Sequence, residues 1–177
     1  LAVGAGFMLL EMGFLQKLIL YLAHPTYSAA ASIAAFLVFG GLGSLLSSRW
    51  RGRPRRVAAG AAGVVVALGL AYVFALDGWL AWTQGWPLGA RLAGAVGTIA
   101  PLALAMGHVV PASLRQIGSI APAVVPWAWA ANGFASVVAT VAAPLLAMHV
   151  GFAALTGLAI GCYAAAAGFC ALLPGGR

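Results

Sequence analysis

Long apolar tracts recur along the whole chain and leave little room for a water-soluble fold. Of the 177 residues, 64% are hydrophobic and only 6% are charged, whereas an ordinary soluble domain has about 25% charged residues. A membrane-spanning helix needs about 20 mostly apolar residues to cross roughly 30 Å of hydrocarbon. The tracts lack the alternation of apolar and polar residues that barrel strands show. The sequence therefore predicts an all-α, polytopic membrane helix bundle that has the lipid bilayer as its first partner.

Six transmembrane helices are predicted from these tracts. They run from Leu1 to Ala23, Tyr27 to Ser47, Val57 to Leu76, Leu88 to Gly107, Pro126 to His149 and Gly151 to Leu173. Pro25 disfavours helix at the residue before it, and Gly151 is typical of a helix stop. We expect residues 1–177 to form a single six-helix transmembrane domain. Because the chain begins within an apolar tract, we also expect it to be an excerpt of a longer chain, with further transmembrane helices in its neighbourhood.

Arginines predict the orientation of the bundle. Residues 47–56, SSRWRGRPRR, contain Arg49, Arg51, Arg53, Arg55 and Arg56, and short arginine-rich loops stay in the cytoplasm. Alternation then assigns the loop 108–125, with Arg115, and the tail residue Arg177 to the same side. The loop with Asp77, Trp79, Trp82 and Trp86 would face outward. A topogenic role explains the basic loop 48–56 without a nucleic-acid partner, and we expect none.

One carboxylate interrupts the first apolar tract, in FMLLEMGFLQK at residues 7–17. Glu11 lies near the middle of the predicted span, where a charged side chain costs about 2.5 to 3.5 kcal/mol on the insertion scale. Protonation, a cation from another helix, or donors on a facing helix could offset this cost. Lys17 lies roughly 240° around the helix from Glu11, so we expect it at the outer interface and not beside the acid.

The fifth predicted span carries a polar stripe that could face Glu11. Asn132, Ser136 and Thr140 recur every four residues, with Trp129 at the same side, and such a face is expected to point at protein. We hypothesise that Glu11 and Gln16 meet this stripe near the midplane. The alternative is packing alone, because polar contacts between membrane helices average only about 0.6 kcal/mol.

Other reactive residues do not form recognisable sites. His24 has no second histidine, cysteine or aspartate at metal-ligand spacing, so we expect no metal and no cofactor in this segment. The chain has one Glu and one Asp, which excludes a paired-carboxylate mechanism within it. Cys162 and Cys170 lie about 12 Å apart along a helix, too far for a disulfide, and are predicted to be packing thiols. The glycine-rich runs 40–44 and 157–161 are interpreted as helix-packing faces.

Two stretches of the chain resemble a known family. They are GFMLLEMGFLQKLILYLAHPTYSAAASIAAFLVFGGLGSLLSSR at residues 6–49 and PWAWAANGFASVVATVAAPLLAMHVGF at residues 126–152. The matching residues are Glu11, Gln16, Lys17, His24, Pro25, Thr26, Tyr27, Gly41, Gly43, Ser44, Pro126, Trp127, Trp129, Asn132, Gly133 and Ser136. In these runs the chain is similar to the membrane part of bacterial spermidine synthase-like proteins, in which a cytoplasmic aminopropyltransferase-type domain is fused to transporter-like helices.

The resemblance implies a multi-pass domain of the bacterial inner (plasma) membrane that anchors a fused or adjacent cytoplasmic synthase-like domain. Under this hypothesis an amine or a lipid-linked substrate binds at Glu11, with Gln16 and Asn132 orienting it and Trp129 supplying a cation-π face. Ser136 is a further candidate substrate-binding residue. Lys17, His24 and Tyr27 would form a gate or an interface. Any transferase site would lie in the soluble domain, since this segment has no catalytic constellation. Two alternatives stay open: half of a secondary transporter, and a passive membrane anchor.

Overall fold

The structure is a helical bundle without strands in the part of the chain that it describes. A computed structural model describes residues 1–50 and 53–172. Its long helices are α1 (Ala2–Leu22), α2 (Pro25–Ser47), α3 (Pro54–Trp82), α4 (Leu88–Ile120) and α5 (Val125–Leu172), with short 3-10 turns at Ser48–Trp50 and Pro122–Val124. All five helices are long and apolar enough to cross a membrane. The all-α helical bundle is therefore confirmed, and its composition indicates a membrane protein.

The number of long helices in the described residues is five, not the predicted six. The predicted fifth and sixth spans both lie within α5, which has 48 residues and non-helical dihedral angles at Gly151. A straight helix of this length would measure about 72 Å, more than twice the thickness of the hydrocarbon core. The predicted stop at Gly151 coincides with this break. Leu173, the last residue of the predicted sixth span, lies outside the described residues.

Contacts with α1 show that α5 folds back on itself. From the first part of α5, Asn132 lies beside Gly4 of α1 and Thr140 beside Met8. From the second part, Tyr163 lies beside Gly6 and Leu155 beside Gly13. As the residue numbers of α1 rise, those of the first part of α5 rise and those of the second part fall. The two parts of α5 therefore run antiparallel, and the chain reverses at Gly151.

Two of the predicted loops are largely helical. α4 continues to Ile120 and includes Pro111, so the predicted loop 108–125 is wrong as far as residue 120. Proline is tolerated in membrane helices when neighbouring helices satisfy the freed backbone groups, and here Ala112 and Gln116 of the same segment are fully buried. The last turns of α3 likewise include Asp77 and Trp82. Packing on neighbouring helices thus extends α3 and α4 beyond their most apolar stretches.

Helix α1 lies at the centre of the bundle. The ring of Phe14 contacts the rings of Phe36 on α2, Tyr72 on α3 and Phe152 on α5, with centroid distances of 6.0, 5.7 and 5.6 Å. Such edge-to-face pairs stabilise the core beyond simple area burial. Polar groups on α1 are consequently surrounded by the other helices and not by lipid alone.

Glycines bring α2 and α4 into backbone contact. A methyl group added at Gly43 would overlap the carbonyl oxygen of Leu104, and one added at Gly107 would overlap that of Gly40. Small residues permit this close approach of membrane helices, as the glycine run at 40–44 predicted. The second run, 157–161, has open space at both its glycines, so these glycines do not themselves permit a close approach of helices. Between them, however, Ala159 is fully buried and Ile160 lies against Gly69 of α3.

The two cysteines follow the prediction from their spacing. Cys162 and Cys170 are both free thiols, and Cys170 is buried against Ala58 and Ala112 in a small apolar cluster. Free cysteines commonly act as small packing residues of this kind. The thiols therefore contribute packing between α3, α4 and α5.

Candidate functional site

The carboxylate of Glu11 is held inside the bundle. Glu11 is 7% exposed and belongs to the inward face of α1. Within residues 1–50 and 53–172 it has no hydrogen bond and no ion pair. A buried charge without a partner is strongly unfavourable. Of the possible compensations, a fixed cation or donors from a facing helix are absent in the described residues, which leaves protonation or a bound cation.

The register between α1 and α2 identifies the residue opposite Glu11. The two contacts that fix this register are the hydrogen bond from Ser28 Oγ to the Leu15 carbonyl, at 2.7 Å, and the ring contact of Phe7 with Phe36, at 5.8 Å. Numbers fall along α2 as they rise along α1, so the helices are antiparallel. Midway between these contacts, Ser32 stands at the level of Glu11.

Ser32 is a polar residue that the sequence interpretation missed. It is fully buried, and its hydroxyl has no hydrogen-bond partner in the described part of the chain. Buried hydroxyls usually have a hydrogen-bond partner. A hydroxyl without a partner at the level of a carboxylate without a partner therefore indicates a candidate ligand site. The available signal was the spacing of Ser28, Ser32 and Phe36, which puts all three on one face of α2. We refer to Glu11 and Ser32 together as the Glu11–Ser32 centre.

The predicted polar stripe lies on a neighbouring helix but at a different level. Asn132 lies beside Gly4, and Gly4 is seven residues, or about 10 Å of helix, before Glu11. The hydroxyls of Ser136 and Thr140 bond backbone carbonyls four residues earlier, at 3.0 and 2.8 Å. The stripe thus adjoins α1 from Gly4 to Met8, ending about 4.5 Å of helix before Glu11, and both of its hydroxyls already have partners.

Two further predicted residues point away from Glu11. Trp129 is 62% exposed on α5. Gln16 follows Glu11 by five residues, which is roughly 140° around the helix. It is half-buried and makes no hydrogen bond to a described residue. Glu11, Gln16, Trp129 and Asn132 therefore do not line one common pocket.

Lys17 pairs with the aspartate of α3. Its ammonium forms an ion pair with the Asp77 carboxylate and lies 5.4 Å from the centre of the Phe152 ring. This pair was not predicted, because the helix levels that bring α1 and α3 together are not visible in the sequence. The other candidate gate residues, His24 and Tyr27, are exposed and stack edge to face at 5.4 Å.

Arg91 and the tryptophans lie at the same end of the bundle as this ion pair. The guanidinium of Arg91 lies 4.7 Å from the centre of the Tyr21 ring, and the Tyr21 hydroxyl is 2.9 Å from that of Thr83. Trp79, Trp82 and Trp86 contact one another with ring distances between 5.3 and 5.9 Å. An aromatic cluster of this kind is typical of a membrane–water interface.

At the end of the bundle opposite the tryptophans, arginine side chains form hydrogen bonds between helices. Arg115 donates to both the carbonyl and the hydroxyl of Ser47 at the C-terminus of α2, and Arg55 donates to the carbonyl of Ala171 near the end of α5. Cations are favourable at helix C-termini because the carbonyl groups there carry partial negative charge. Arg51 and Arg177 of the predicted basic side lie outside the described residues.

Comparison with known proteins found no relative. No family model matches the chain, and no curated protein and no solved structure is significantly similar to it.

Proposed function

We propose that the chain is the membrane domain of a spermidine synthase-like protein, that it anchors a cytoplasmic synthase domain, and that it binds a cationic amine at the Glu11–Ser32 centre. The observation that carries the proposal is the buried carboxylate of Glu11, which lacks a partner among the described residues. Ionisable groups inside membrane proteins mark substrate or ion sites by default.

An ammonium group has the chemistry that this centre lacks. It carries the opposite charge to the carboxylate and three N–H donors, enough for Glu11 and for the orphan hydroxyl of Ser32. Charge-assisted hydrogen bonds of this type are about twice as strong as neutral ones. The nearest fixed cation along α1 is Lys17, which is already paired with Asp77. A ligand amine would therefore supply the missing counter-charge.

The chain path supports the anchoring role. With a reversal at Gly151, the two parts of α5 would each cross the membrane, and the chain would cross it six times. The start of α1 and the end of α5 then lie at the end with Arg49 and Arg55, which the positive-inside rule assigns to the cytoplasm of a bacterial cell. A soluble domain joined to either end would thus lie in the cytoplasm.

A passive anchor is the second candidate. It is favoured by the hydroxyls of Ser136 and Thr140, which bond carbonyls of their own helix and so have no need of a ligand. Half of a secondary transporter would need a second six-crossing repeat around the same centre. Measurement of amine binding separates the anchor from the other two.

Replacing Glu11 with Gln should abolish tight amine binding by the intact protein. The change keeps the size of the side chain but removes the charge, and hydrogen bonds to charged groups contribute about 1.5 to 3 kcal/mol, so we expect at least a tenfold rise in Kd. Equilibrium dialysis of radiolabelled spermidine against the full-length protein in nanodiscs measures this Kd. Ser32→Ala should raise Kd by a smaller factor, whereas Ser28→Ala, which removes a hydroxyl already bonded to Leu15, should leave it unchanged.

The passive anchor predicts a different result for the same variants. Without a ligand, loss of the unpaired carboxylate should only relieve a burial cost, so Glu11→Gln would melt at a higher temperature and spermidine would bind equally to all variants. Equal binding with a raised melting temperature would refute the amine site and leave the anchor.

Cysteine labelling checks the orientation of the bundle. Gln84 and Trp50 are exposed at opposite ends of α3. A membrane-impermeant maleimide added outside intact cells should label Gln84→Cys, and it should label Trp50→Cys only after lysis. The parent chain is the control, because Cys162 and Cys170 lie within α5. If only Trp50→Cys were labelled in intact cells, the orientation of the bundle would be the opposite of the one proposed.

A further inference from the structure

A cavity lies at the arginine-bearing end of the bundle, away from the Glu11–Ser32 centre. It has a volume of about 580 Å³ and lies between the first residues of α1, the last turns of α4 and both ends of α5. Ligand sites in proteins typically have volumes of about 300 to 1,000 Å³. Leu1 and Phe169, two of its walls, are 67% and 61% exposed, so the cavity reaches the protein surface.

The lining is apolar and contains no charged side chain among the described residues. Its two polar side chains are Ser113 and Asn132, and the remaining walls are aliphatic or aromatic apart from the thiol of Cys170. The Ser113 hydroxyl already contacts this thiol, at 3.6 Å. The Asn132 side chain makes no hydrogen bond to a described residue. A mostly apolar cavity with one free amide fits an acyl chain that has a polar ester group at one end.

One basic side chain lies next to the wall of this apolar cavity. Arg55 is fixed by its hydrogen bond to the carbonyl of Ala171, the residue that follows Cys170 of the lining. Arg115 on α4 follows Leu114, another wall of the cavity, but its guanidinium is bonded to Ser47 at the end of α2, so Arg55 is the cation for a headgroup here. Each basic residue near a membrane surface attracts anionic lipid by about 1 kcal/mol. The charge beside the cavity therefore complements an anionic headgroup.

We propose that this cavity binds one acyl chain of an anionic phospholipid, with the lipid ester at Asn132 and the phosphate at Arg55. The site would hold a specific lipid between α4 and the two ends of α5. It is independent of the amine site, because none of its described lining residues belongs to the Glu11–Ser32 centre.

Retention of spin-labelled lipids tests the site on the full-length protein in detergent. We expect phosphatidylglycerol to be retained more strongly than phosphatidylcholine, and Arg55→Gln to reduce this preference about fivefold. Arg56→Gln removes the same charge from the adjacent position and should have a much smaller effect. Ala166→Phe fills the cavity with a larger side chain and should abolish retention; Ala128→Leu, on another wall, serves the same purpose if that variant fails to fold.

Competition identifies the chemical source of the acyl chain. Unlabelled phosphatidylglycerol should displace the label more effectively than oleate at equal concentration. Stronger displacement by oleate would assign the site to a fatty acid and overturn the phospholipid. Equal retention of both phospholipids by the parent protein, or unchanged retention in both well-folded cavity-filling variants, would overturn the proposal as well.

Discussion

Replacing Gly107 with Ala is expected to lower the melting temperature of the purified protein by several degrees. The added methyl group would overlap the carbonyl oxygen of Gly40, and backbone cannot move aside as a flexible side chain can. Overpacking of this kind typically costs about 1 to 3 kcal/mol, and about 2 to 4 °C is lost per kcal/mol in a chain of this size. Thermal unfolding in detergent, followed by size-exclusion chromatography, measures the shift.

Gly97 provides the matched control on the same helix. An added methyl group there meets no atom within 4 Å. Alanine in the middle of a helix is otherwise favoured over glycine by about 0.5 to 1 kcal/mol, so Gly97→Ala should leave the melting temperature unchanged or raise it. The opposite signs separate close helix packing from helix propensity. If both variants shifted equally, the α2–α4 backbone contact would not contribute to stability.

Most of the fold could be predicted because the residues that determine it are local. Apolar length alone located α1 and α2 within two residues of their observed bounds, Ala2–Leu22 and Pro25–Ser47. At their junction, Ala23 has the left-handed conformation of a helix C-terminus, and His24 is extended, as expected of the residue before a proline. Strong local signals and tertiary packing agree here.

The helix ends that were mispredicted depend on neighbouring helices. Residues 108–120 are less apolar than a typical membrane span and contain Pro111, so the sequence alone favoured a loop. In the folded bundle Gln116 is buried and donates to the Cys170 carbonyl at 3.3 Å. That partner lies 54 residues away in the chain, and no local pattern could have identified it.

The candidate site was predictable only as far as single residues. The burial of Glu11 followed from its place in an apolar tract, and the structure agrees. The polar residue opposite Glu11 could not be inferred, because the pairing and register of the helices determine which polar group lies at the level of Glu11. Asn132 is on a helix that does pack against α1, yet it lies beside Gly4. Ser32, on the adjacent helix of the chain, is the residue that the register brings to Glu11.

Replacing Gly151 with Ala is expected to destabilise the protein through its backbone alone. Gly151 has φ 76° and ψ 174°, a region that is essentially restricted to glycine and costs other residues about 1 to 3 kcal/mol. No atom lies within 4 Å of an added methyl group, so a steric clash with other residues does not contribute. We therefore expect a fall in melting temperature of several degrees, measured as for Gly107→Ala.

Gly157→Ala is the control for this variant, because Gly157 lies in the same helix, also has open space around it and has no positive φ. Its melting temperature should stay the same or rise. The physical cause can be separated further with Gly151→Asn, since asparagine tolerates positive φ better than alanine does in the left-handed helical region but not at ψ near 180°. Asn should thus be as harmful as Ala. A wild-type melting temperature for both variants would mean that the chain reverses without this conformation, and the antiparallel arrangement of the two parts of α5 would then depend on their contacts with α1.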